Sequence, residues 1–135
     1  AVLEGLAGYL ATPQVTAADL RELRTLDARM QAAAKAFDVP TFFKANAAFH
    51  EVFVRRATNP RLEKEIGKFR LLMRRLRVFL MKIPGRMTRS AEEHAAIIQA
   101  FAARDAQQAE TAIRRHITSA EQALRQALEA VRELT

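Results

Sequence analysis

Three histidines, His50, His94 and His116, are the only ones in the chain, and with no cysteine present any metal must be held through nitrogen and oxygen. Each falls on the apolar side of a separate segment with helical periodicity. A lone histidine on such a face is ordinarily a packed, hydrogen-bonded core residue. Three of them among few polar neighbours are costly to bury as neutral imidazoles unless every nitrogen finds a partner, and a shared cation would supply one. Asn46 precedes His50 by one helical turn and presents its amide on the same face. Three imidazoles and a neutral amide would leave the charge of a cation uncompensated. The unmet demand is for an anion, either hydroxide or the carboxylate of a small molecule.

Arg70 and Arg77 lie near the edge of the next apolar stripe and could meet such an anion, since a guanidinium suits bidentate carboxylate recognition. Arg77 is nearer the stripe, whereas snorkelling to solvent accounts for Arg70. A metal with an open position can also activate water. Against catalysis, no carboxylate stands out as a general base among the inward-facing residues, and neither His-Glu-x-x-His nor Glu-x-x-His occurs. Sensing is therefore expected rather than turnover, with a metal-dependent enzyme and a metal-free sensor of an apolar effector as the alternatives. Zinc and nickel come first among the metals that nitrogen-rich sites accept.

The elements that must position these groups are helices. The 135 residues are half apolar, with four glycines, four prolines and one tyrosine, which favours an all-α fold with one continuous core in a single domain over residues 1–135. The first helix carries Leu3, Leu6, Ala7, Leu10 and Ala11 on one face and ends at Thr12-Pro13. Thr16-Ala-Ala-Asp19 is a capping box for the second, whose stripe is Leu20, Leu23, Leu26, Met30, Ala33 and Phe37. Asp38-Val39-Pro40 opens the third, lined by Phe43, Asn46, His50, Phe53, Val54 and Ala57. Asn59-Pro60 starts a fourth with the stripe Leu62, Ile66, Phe69, Met73, Leu76, Leu80 and Ile83. Leu71 and Val78 point the other way on that helix, and a homodimer contact is expected there. After Pro84-Gly85 the fifth helix starts at Arg86 or at the box Ser90-Ala-Glu-Glu93, and Asp105 caps the last. Six helices with short connections imply an antiparallel bundle.

The net charge of +7 is concentrated between Arg55 and Arg89, where twelve Lys or Arg face two acids. Such a stripe can draw in anions or bind a phosphate backbone. No phosphate loop, aromatic RNA motif or zinc-finger spacing accompanies it, so direct nucleic-acid binding by this segment is the minority reading. The opening AVLEGLAGYLAT is too short to span a bilayer and contains Glu4, so a soluble, cytoplasmic protein without a membrane partner is expected. Starting without Met on helical sequence, the chain is expected to be part of a longer protein.

The run NAAFHEVFVRRATNPRL resembles the D/N-x-x-F-H pattern, followed by a small-residue turn, Asn and Leu, of the FCD domain. That domain is the effector-binding part of FadR-subfamily regulators of the GntR type. EEHAAIIQAFAARDAQQAETAIRRHI is similar to the second half of the domain, and LEGLAGYLA with T-x-x-D-L-x-x-L to its start, so the likeness covers nearly the whole chain. The resemblance implies a six-helix, usually dimeric bundle that binds small organic acids. It further implies control over DNA through an N-terminal winged helix-turn-helix domain absent from these residues. In metal-binding members the ligands are an Asp one turn before the first His, that His and two more. Those positions fall on Asn46, His50, His94 and His116, with Asn46 departing from the commoner Asp.

Overall fold

The computed structural model describes residues 1–135. It contains seven helices and no strand: α1 (Val2–Ala11), α2 (Ala17–Lys35), α3 (Val39–Arg56), α4 (Pro60–Leu72), α5 (Arg74–Met81), α6 (Arg86–Ala102) and α7 (Ala106–Glu133), with a short 3-10 turn at Thr12–Gln14. Taking α4 and α5 together, these occupy the six segments expected. None is long and apolar enough to cross a membrane.

The boundaries follow local chemistry. Thr16 and Asp19 form the expected reciprocal capping box, and Asp38, Asn59 and Asp105 each accept a backbone N–H at the start of α3, α4 and α7. Asp19 also takes Arg56 Nε at 2.7 Å, tying the end of α3 to the start of α2. Of the two starts considered for α6, the helix uses Arg86, preceded by Gly85 in the left-handed region at φ 79°. Ser90 lies inside the helix and is buried.

Three apolar faces depart from the periodicity reading. On α1 the buried residues are Gly5, Ala7, Gly8 and Ala11, while Leu3 and Leu6 are exposed. The small residues let α1 lie close against α7: a Cβ on Gly8 would run into Ile113 Cδ1. Phe37 is not on the α2 stripe but follows the helix with φ 52°, where the Asp38 N–H closes the turn on Ala33 O at 2.8 Å. On α3, Phe42 and Phe49 join Phe53 in the core, filling a wider face than the one expected.

The helix expected from Pro60 to Ile83 is broken at Met73, whose φ −92°, ψ 4° interrupts the α-helical run. Only Leu62, Ile66 and Met81 of the two pieces are buried, and Phe69 is exposed. Leu71 is also exposed, but Val78 packs partly against the core, so the two do not continue one outward face across the break.

α7 is packed by α1 and α6, and α2 by α3 and α6. The core of Phe42, Phe49, Phe53, Leu23, Met30, Ile97, Phe101 and Ile113 lies among these helices.

Candidate metal centre

His50 on α3, His94 on α6 and His116 on α7 are all buried, and one nitrogen of each lies within 4.8 Å of the others. The converging atoms are the Nε2 nitrogens, 3.3 Å apart between His50 and His94 and 3.2 Å between His94 and His116. The outer nitrogens of two rings are anchored. His50 Nδ1 donates to Glu4 Oε1 at 3.1 Å, and His116 Nδ1 donates to Glu93 Oε1 at 2.8 Å.

These anchors are ionised carboxylates. Burial would raise the Glu4 carboxyl, but His50, through charge and hydrogen bond, and the Arg70 and Arg77 guanidiniums outweigh it and bring it down to about 2. Arg70 Nη2 approaches the same Glu4 oxygen at 3.2 Å. Burial likewise opposes ionisation of Glu93, and hydrogen bonds from His116, Ser119 and Arg86 bring it to about 2. Arg86, itself buried, donates to Glu93 at 2.6 Å and to Ser119 Oγ at 3.0 Å.

An ionised carboxylate only accepts, so Nδ1 of His50 and of His116 carries the proton in the neutral rings. Burial pushes His50 down to about 3 against the pull of Glu4, and pushes His94 well below its ordinary value with the help of the other two rings and Arg86. In this neutral form both Nε2 atoms of His50 and His116 present lone pairs to His94. His94 has one ring proton. If it sits on Nε2 it can serve only one neighbour, and Nδ1 is left buried without a partner; if it sits on Nδ1 it finds no acceptor. Every protonation pattern of the neutral rings therefore leaves lone pairs facing each other or a buried group unsatisfied. A cation at the convergence point removes the conflict, and carboxylates behind imidazoles are the usual outer support of such a site. Asn46 Oδ1, buried and also without a partner, supplies a neutral oxygen beside His50.

The centre opens on a cavity of about 170 Å³, lined in part by Asn46, His50, His116, Arg70 and Arg77. All the residues singled out for the site except His94, Leu71 and Val78 line it; His94 lies behind, stacked on Phe49 with ring centroids 4.4 Å apart. Arg70 does not snorkel to solvent as expected, its side chain being only 18% exposed at the cavity wall. Arg70 is engaged by Glu4, whereas Arg77 has no carboxylate within ion-pair distance and rests 5.4 Å from the centroid of Phe43. Burial and Arg70 lower Arg77 to about 10, which leaves it cationic at neutral pH.

Glu4, Glu93 and Arg86 were not foreseen as site residues. Glu93 carried a capping signal and Arg86 a helix-start signal, so each was visible in a different role. Glu4 carried no signal, because the side of α1 that faces the site is set by its packing on α7.

The FCD domain family matches residues 1–119 of the chain. Among solved structures, E. coli McbR/YncC aligns with a TM-score of 0.85 at 23% identity, over 93% of this chain and 63% of that one. The chain thus spans less than two thirds of that protein's length. No curated protein matches it. With the match running through all three histidines and over most of the sequence, the chain belongs to the FCD domain family.

Proposed function

We propose that the chain is the ligand-sensing domain of a cytoplasmic bacterial regulator of the GntR type, FadR subfamily. In this reading His50, His94 and His116, with Asn46 beside them, hold a divalent metal, zinc or nickel, at which a small organic acid binds. The observation that carries the reading is the convergence of three Nε2 atoms that, as neutral rings, cannot all be satisfied by one another. Membership of the FCD family supports the regulatory role.

The chain's own residues do the following. Glu4 and Glu93 fix the His50 and His116 tautomers and turn both Nε2 atoms inward, and Arg70 and Arg86 hold those carboxylates ionised. A bound cation would supply positive charge and an open position for the ligand's carboxylate. Arg77, unpaired at the cavity wall, offers that carboxylate a second cationic contact. DNA is reached through an N-terminal winged helix-turn-helix domain outside these residues. The effector acts on it by binding one arrangement of a homodimer better than another. Leu71 is proposed at the dimer contact, with the half-covered Val78 at its edge.

The test is metal analysis of protein purified without added metal or a histidine tag, beside single alanine variants of the three histidines. Unchanged metal content and organic-acid affinity in all three variants would reject the proposal. A metal-free sensor of an apolar effector has one observation in its favour, since ten of the nineteen residues lining the cavity are apolar. Metal-free protein that co-purifies with an apolar ligand would select it. An enzyme is the weaker reading, because the two carboxylates that contact the histidines, Glu4 and Glu93, are held in ion pairs.

A further inference from the structure

The walls of the cavity away from the histidines are built for hydrocarbon. Phe69, Met73, Leu76 and Leu80 approach from α4, α5 and the break between them, and Ile117 and Leu124 from α7. Three of the chain's four methionines, Met73, Met81 and Met87, line this one space. Flexible thioethers adapt to an alkyl chain and offer a hydroxylated one only a weak acceptor. A second carboxylate on the ligand would need its own cation. Arg70 and Arg86 are already committed to Glu4 and Glu93, which leaves Arg77, and Glu121 at the wall repels an added negative charge. Size narrows the choice further. An apolar cavity of about 150 Å³ holds a benzene-sized molecule, so the 170 Å³ here suits a ligand only slightly larger.

Resting on the carboxylate-sensor reading above, we infer that the effector is an aliphatic monocarboxylate of about four to six carbons. Its carboxylate lies at the histidine end within reach of Arg77, and its unsubstituted tail lies against Met73, Leu76, Leu80, Ile117 and Leu124. Polyhydroxy acids and di- or tricarboxylates are disfavoured, because Ser90 is the one uncharged polar side chain lining the cavity away from the histidine end, and most of their extra polar groups would be buried against apolar walls without partners.

The experiment is calorimetric titration of the zinc-loaded protein with acetate, butanoate, hexanoate, decanoate, succinate and citrate. Each methylene from acetate to hexanoate should tighten binding about fourfold, roughly two-hundredfold in all, with no further gain at decanoate. Succinate and citrate should bind no better than acetate. Leu76 and Leu124 are incompletely buried, so L76Q with L124Q should fold, flatten the chain-length series and leave acetate affinity within about twofold.

Equal affinity for acetate and hexanoate, or tighter binding of citrate than hexanoate, would overturn the tail while leaving the metal and anion reading intact. Zinc-loaded protein that binds none of the six acids would overturn both. A methylene series that persists in protein unable to take up zinc would support the tail and overturn the metal.

Discussion

Replacing Glu4 by Gln tests whether the carboxylates behind the imidazoles organise a metal site or merely decorate the core. The substitution keeps the shape and one acceptor oxygen for His50 Nδ1, now at 3.1 Å from Glu4, but removes the charge. It also releases Arg70, which approaches the same oxygen at 3.2 Å and would become an unpaired cation beside the histidine cluster. Loss of such an outer partner typically weakens metal binding about 10- to 100-fold, or about 1.4–2.7 kcal/mol. With zinc at a hundred times the wild-type dissociation constant, bound metal should stabilise the wild type by about 2.7 kcal/mol and the variant by only about 0.4–1.4 kcal/mol. Denaturant unfolding with and without zinc reads this difference directly. Glu110→Gln, whose partner Arg114 is its surface neighbour one helical turn away, serves as the control and should behave as wild type. A wild-type zinc response in Glu4→Gln would refute the assignment of Glu4 as the support of His50.

Asn46→Asp should tighten metal binding, by adding an anionic oxygen at an orphaned position, and weaken binding of an organic anion; tightening of both in parallel titrations would show that missing negative charge is not what recruits the ligand. Arg77→Gln should lower carboxylate affinity about 10- to 100-fold without changing metal content, and calorimetry beside elemental analysis separates the two. Gly8→Ala should cost about 1–3 kcal/mol in denaturant unfolding, since its Cβ meets Ile113 in a closely packed contact; an unchanged midpoint would mean that α1 does not pack on α7 in this way. Burial raises the carboxyl of Asp27, whose Oδ1 has no partner, so its ionised form opposes folding above the unfolded value of 3.8 and the penalty fades as pH falls through the folded one. Asp27→Asn should therefore be more stable than wild type at pH 7, with the gain shrinking towards pH 3, as urea midpoints across that range would reveal.

The histidine positions were legible because type and periodicity sufficed: three residues of one kind on three apolar faces need only helices to bring them together. Asn46 was legible for the same reason, since one helical turn ties it to His50 whatever the rest of the fold does. The caps at Thr16, Asp38, Asn59 and Asp105 are local chemistry and were equally readable. Glu4 was not, because hydropathy assigns the inward face of α1 to leucines, whereas close contact with α7 selects glycine and alanine and turns Leu3 and Leu6 outward. The break at Met73 was missed because neither proline nor glycine marks it. The segment stays apolar on two sides, and its break coincides with a change of neighbours, α4 packing on α1 and α5 on α3, α6 and α7. Glu93 and Arg86 join residues distant in sequence, a relation that no window of neighbouring residues contains.

α7 runs for 28 residues, and His116 sits near its middle. The part beyond His116 to Glu133 extends about 25 Å at the helical rise and carries exposed Leu128 and Val131 along its far half. Held at the histidine and at Ser119, which accepts from Arg86, and exposed over its last turns, this arm would act as a lever with a short input side. A pivot of about 5° at His116, small enough to be set by what fills the cavity beside it, sweeps the far end through about 2 Å at that length. A fraction of an ångström at the imidazole thus becomes a displacement comparable with a side-chain contact, delivered to a surface where another helix could read it.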